Sequence, residues 1–136
     1  MQFLWLLLTI GWTCTIFYCS SLDAGSSGAM SARIVELLAV FRDFVDVPSE
    51  HTIRKLAHFL EFSLLGWLLW RTYSSFRISK ATSAGYILLL GLLVAVVDEY
   101  IQSFSLGRSS QVSDVLLDFG GVFCTWLFCR IYSWSR

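Results

Sequence analysis

Residues 2–20, "QFLWLLLTIGWTCTIFYCS", contain no Asp, Glu, Lys or Arg. About 20 residues of helix cross the hydrocarbon core of a bilayer, so a run this long and this apolar calls for lipid rather than water around it. Three further segments are long enough to do the same, at about 52–73, 83–104 and 111–132. Inside lipid every backbone N–H and C=O must be satisfied within its own segment, which leaves helices as the solution for such runs. The expected fold is therefore all-α, an integral membrane four-helix bundle, with residues 1–136 forming a single domain. Composition agrees, because only 15% of the chain is charged against about 25% in ordinary soluble domains. Ten basic residues balance ten acidic ones, which argues against nucleic acid as a partner, since phosphate binding needs a basic surplus. The first run reads as a retained span rather than a signal peptide. No Lys or Arg precedes it, and it lacks a small-x-small cleavage pattern.

Between the first and second spans lies a small-residue linker, "SLDAGSSGAMSA". It leads into a segment too short to span, about 34–45, which predicts an amphipathic interfacial helix. Ile34, Leu37, Leu38, Phe41 and Val45 share one face, with Arg33, Glu36 and Asp43 opposite. Pro48 and Ser49 then break the chain and supply an N-cap for the second span. His51 is expected in a loop with no special role. Cys14, Cys19, Cys124 and Cys129 lie in apolar stretches without a Cys-x-x-Cys pair, so they read as packed thiols rather than zinc ligands. Trp5, Trp12, Trp70, Tyr73, Tyr132 and Trp134 fall towards span ends, where aromatic rings anchor at the membrane surface.

Consecutive spans alternate in direction. With the N-terminus inside, the basic residues divide five against five between the two sides. Arg54, Lys55 and Arg108 abut carboxylates and are held by pairing. Setting them aside leaves five against two, which places both termini in the cytoplasm. The surrounding membrane is then the cell's inner, cytoplasmic membrane.

The charges within the spans are confined to one end. Arg54, Lys55, His58 and Glu61 open the second span, Asp98, Glu99 and Gln102 close the third, and Asp114 and Asp118 open the fourth. In alternating helices these positions share one leaflet, the outer one in this orientation, with Arg108 on the turn above. Spacings of three and four return to the same helical face. Arg54, His58 and Glu61 thus form one stripe, Asp98 and Gln102 a second, and Asp114, Asp118 and Gly121 a third. A charge facing lipid at mid-membrane costs about 2.5–3.5 kcal/mol, so the stripes are expected to face each other.

The paired patterns "RKLAHFLEFSLLGWLL" and "DEYIQSFSLGRSSQVSDVLLDFGG" resemble the VanZ-like family of small bacterial membrane proteins, over about residues 54–121. The resemblance places Lys55, His58 and Glu61 on the first family motif. It places Asp98, Glu99, Gln102, Gly107, Arg108, Asp114 and Gly121 on the second. Two positions depart from the family pattern: Leu106 stands where proline is frequent, and Asp118 where asparagine is common. The named member is associated with resistance to the glycopeptide antibiotic teicoplanin. The resemblance therefore implies a cell-envelope protein, with antibiotic susceptibility as the associated phenotype.

Several readings of the polar cluster follow. As a binding site, Arg54, Lys55, Glu99, Gln102, Arg108, Asp114 and Asp118 would form an outward-facing pocket for an anionic envelope lipid or peptidoglycan-related precursor. As an enzyme, His58, Glu61 and Asp98 would carry acid–base chemistry on a phospho-lipid. No organic cofactor is expected. A metal-assisted variant would group His58, Glu61, Asp98 and Asp114 around a divalent cation such as magnesium, calcium or manganese rather than zinc. The plainest reading is an ion-pair network that only fixes helix packing. Gly121 and Thr125 form a small-xxx-small pair suited to close helix contact, chiefly within the chain, with a homo-oligomer as the other use.

Overall fold

A computed structural model describes residues 1–22, 49–76, 78–107 and 110–134, with isolated positions between 25 and 36; Lys80 and Trp134 are described by backbone alone. The four elements are all helical: α1 (Gln2–Ser21), α2 (Glu50–Ser75), α3 (Lys80–Gln102) and α4 (Val112–Trp134). The amphipathic segment expected at 34–45 lies outside the described residues apart from Glu36, and so does Arg108.

Local chemistry sets the helix starts. The Ser49 hydroxyl accepts from the Thr52 amide at 3.2 Å, starting α2 at Glu50 and placing His51 in its first turn rather than in a loop. Ser79 does the same with Thr82, so α3 begins at Lys80, ahead of the apolar run proper. At its other end, α3 stops at Gln102, and a turn through Gly107 reverses the chain. Gly107 has φ 77°, in the left-handed region that a side chain disfavours.

Contacts along the bundle give the directions. Gln2 donates to the Ser75 carbonyl, Thr9 and Thr72 share a hydroxyl contact at 2.9 Å, and Trp12 Nε1 donates to the Glu61 carbonyl at 3.0 Å. Helix α1 therefore runs antiparallel to α2. Ser20 near the end of α1 meets Gln102 at the end of α3, and Lys55 near the start of α2 meets Asp114 near the start of α4. Helices α2 and α3 both touch all the other helices, whereas α1 and α4 barely meet.

Ile16 of α1, Phe62, Leu65 and Leu69 of α2, Ile87 and Ala95 of α3 and Val122 of α4 make one core. The outward faces stay apolar: Leu7, Leu60, Leu93 and Phe128 are all exposed. Three helices are long and apolar enough to cross a membrane, over Gln2–Ser21, Ala81–Gln102 and Val112–Ser133. Helix α2 is the longest at 26 residues. It is not among those three: Glu50, Arg54, Lys55 and Glu61 crowd its first half, and Arg71 with the polar run 72–75 ends it.

Between apolar helices in lipid, close packing replaces the hydrophobic effect as the source of association. Small residues supply it here. A β-carbon on Gly66 would meet the Val122 backbone at 2.9 Å, so α2 and α4 approach almost to backbone contact.

Candidate functional site

The close α2–α4 crossing, with α3 laid against both, brings the polar ends of three helices together. Lys55 Nζ donates to Asp114 Oδ1 at 2.7 Å, and both side chains are about one-third exposed (34% and 28%). One turn deeper, His58 Nδ1 lies 3.9 Å from Glu61 Oε2, too far for a hydrogen bond. Asp98, Glu99, Gln102 and Asp118 are buried.

Each buried group has its own setting. Gln102 Nε2 donates to Asp98 Oδ2 at 2.8 Å, the four-residue spacing that one helical face provides. The same amide reaches towards Ser20 Oγ at 3.5 Å, so α1 also contributes to this end of the bundle. Ser105 Oγ donates to the Ser20 carbonyl at 3.0 Å and holds the α3–α4 turn over it. Glu99 turns the other way and accepts from the Gln111 backbone amide, tying the end of α3 to the start of α4. Among the described residues, Glu99 Oε2 and Asp118 Oδ1 are buried without a hydrogen-bond donor.

A cavity of about 80 Å³ opens at this end. Its walls come from His51, Arg54, Lys55 and His58 of α2, Gln102 of α3, Gly107 and Gln111 of the turn, and Asp114, Leu117 and Asp118 of α4. Exposed His51, Gly107 and Gln111 mark its mouth, and buried Asp118 lies at its inner end. Lys55 is held by a carboxylate as expected, but Arg54, expected to be held in the same way, has no ion-pair partner among the described residues. The count of basic residues then becomes five against three, in the same direction.

The sequence stripes thus divide by depth. Arg54, Lys55, Gln102, Asp114 and Asp118 reach the cavity wall, whereas Glu99 serves the helix junction beside it. Of the acid–base candidates, His58 lines the cavity, Asp98 is buried behind it and Glu61 is one-third exposed. Of the metal candidates, Asp114 is taken by Lys55. Ligand-type atoms of His58, Asp98 and Asp118 instead lie within 4.8 Å of one another. His51 also reaches the cavity. Its signal was available, since His51, Lys55 and His58 follow one another at spacings of four and three.

Compared with protein-family models, residues 5–133 match the one described as VanZ/LLP1. The chain belongs to the VanZ/LLP1 family. The match extends beyond the paired motifs of 54–121 to take in most of α1 and of α4. Together with the three apolar helices, it makes this a multi-pass membrane protein of the VanZ/LLP1 type. Comparisons with curated proteins and with solved structures returned no match. Asp118 puts a buried carboxylate directly against the cavity.

Proposed function

We propose that this VanZ/LLP1-family protein seats the anionic head group of an envelope lipid or peptidoglycan-related precursor. In this reading all four helices span the inner membrane, both termini are cytoplasmic and the cavity opens to the outer leaflet. The observation that carries it is the cavity's basic wall: His51, Arg54 and Lys55 line one side, and Arg54 has no carboxylate partner among the described residues. A guanidinium held at a membrane-level cavity is costly unless an anion completes it, and its planar fork suits phosphate or carboxylate. Lys55, already bound to Asp114, sets the position of that wall. The phenotype associated with the named VanZ-like member enters here as altered susceptibility to teicoplanin, through capture of an envelope component at this mouth.

The test is binding to the full chain in nanodiscs. Short-chain phosphatidylglycerol should bind in preference to short-chain phosphatidylcholine, and inorganic phosphate should compete if the phosphate alone is recognised. A hydrogen bond to a charged group contributes about 1.5–3 kcal/mol, so Arg54→Gln should weaken binding roughly 10- to 150-fold. Equal affinity for the two lipids, or an unchanged Arg54→Gln variant, would remove this reading. In cells, the teicoplanin inhibitory concentration with the wild-type chain should differ from that with Arg54→Gln.

A further inference from the structure

We propose that His58, Asp98 and Asp118 bind a divalent cation, Mn²⁺ or Zn²⁺, at the inner end of the cavity. One residue comes from each of α2, α3 and α4, and their ligand-type atoms all lie within 4.8 Å of one another. Donors sharing one ion at about 2.0–2.2 Å sit at most about 4.4 Å apart, so small side-chain rotations complete the site. The second, independent observation is Asp118. Its side chain is 1% exposed, lines the cavity, and has an Oδ1 without a hydrogen-bond donor among the described residues.

Charge and donor chemistry point the same way. Asp98 and Asp118 are both fully buried, and two carboxylates with a neutral imidazole balance one divalent ion. A mixed set of one nitrogen and two oxygens suits manganese or zinc better than calcium or magnesium. Gln102, donating to Asp98 Oδ2 at 2.8 Å, holds that carboxylate in place as an outer-shell partner. The cavity of about 80 Å³ beside His58 and Asp118 has room for waters at the remaining coordination positions, each needing roughly 10–15 Å³. The site is separate from the basic wall and does not depend on the anion reading.

The test uses the full chain in nanodiscs, stripped with a chelator and then loaded with Mn²⁺, Zn²⁺ or Mg²⁺ alone. Elemental analysis after desalting should find about one Mn or Zn per chain, and the melting temperature should rise saturably with either metal. Asp118→Asn should weaken this binding by at least about 100-fold, since even outer-shell changes cost 10–100-fold. Should that variant fail to fold, His58→Gln gives the same reading, and Glu50→Gln, exposed and away from the cavity wall, should leave binding unchanged. The proposal is overturned if no metal is retained and no melting shift occurs, the result for two carboxyls sharing a proton. It is equally overturned if the shift survives in both Asp118→Asn and His58→Gln.

Discussion

Gly121 of α4 lies so near α2 that a β-carbon would stand 2.5 Å from the Phe59 carbonyl oxygen and 3.0 Å from the Ser63 amide nitrogen. Helices in this relation cannot separate by even a methyl group without moving everything above them. Lys55 and His58 ride on α2 in the turns just before this contact, and Asp114 and Asp118 ride on α4 in the same way. The crossing is therefore what brings the polar end to hydrogen-bonding distance.

Gly121→Ala should lower thermal stability at the upper end of the range of about 1–3 kcal/mol seen when packed cores are overfilled, because the obstacle is backbone. Gly85→Ala is the control: nothing lies within 4 Å of its would-be β-carbon, so the higher helix propensity of alanine should leave stability unchanged or slightly raised. Thermal unfolding in one detergent compares the two, and equal losses would remove the crossing from this account.

The Lys55–Asp114 pair lends itself to a double-mutant cycle with Lys55→Met and Asp114→Asn. With both side chains about one-third exposed (34% and 28%), solvent screens the pair, and a coupling of about 0.5–1 kcal/mol is expected. A coupling near zero would mean that the 2.7 Å contact contributes nothing to holding the ends of α2 and α4 together.

Glu99 accepts from the Gln111 backbone amide. Glu99→Leu removes that acceptor and should destabilise the protein by about 1.5–3 kcal/mol. Glu99→Gln retains a carbonyl oxygen and should cost less. Amide hydrogen exchange at Gln111 offers a local check: it should accelerate in Glu99→Leu and stay slower in Glu99→Gln.

At the opposite face of α2, Trp12 Nε1 donates to the Glu61 carbonyl at 3.0 Å. Trp12→Phe keeps most of the ring and loses the donor. Hydrogen bonds between membrane helices average about 0.6 kcal/mol, so the expected loss is of that size. A loss several-fold larger would show that the indole's bulk, rather than its hydrogen bond, fixes α1.

The convergence of charge at one end of the bundle was legible because helical periodicity and alternating span direction are both arithmetic on residue numbers. Lys55, His58, Asp98, Gln102, Asp114 and Asp118 all come to the expected end. Depth was harder to read. Asp114 and Asp118 share a face, yet one turn of helix, a rise of about 5.4 Å, separates a carboxylate that meets Lys55 from one beside His58 and Asp98. Glu61 shares a stripe with His58 in sequence, but its side chain stays one-third exposed, 3.9 Å from His58 Nδ1. Periodicity cannot rank such neighbours, because side-chain rotamers and the exact crossing of α2 with α4 choose among them. Helix α2 is also the one whose membrane character is hardest to read from apolarity alone. Its apolar run at 64–70 is short, with Glu50, Arg54, Lys55 and Glu61 before it and Arg71 directly after it.

The Lys55–Asp114 bond joins residues 59 positions apart, and that separation has a consequence during synthesis. At about 5–20 residues per second, the ammonium is synthesised roughly 3–12 seconds before its carboxylate. Throughout that interval Lys55 lacks the carboxylate that it meets in the folded chain. The ion pair can close only once α4 has been made, so this end of the bundle is completed after the α1–α2 contacts can already form.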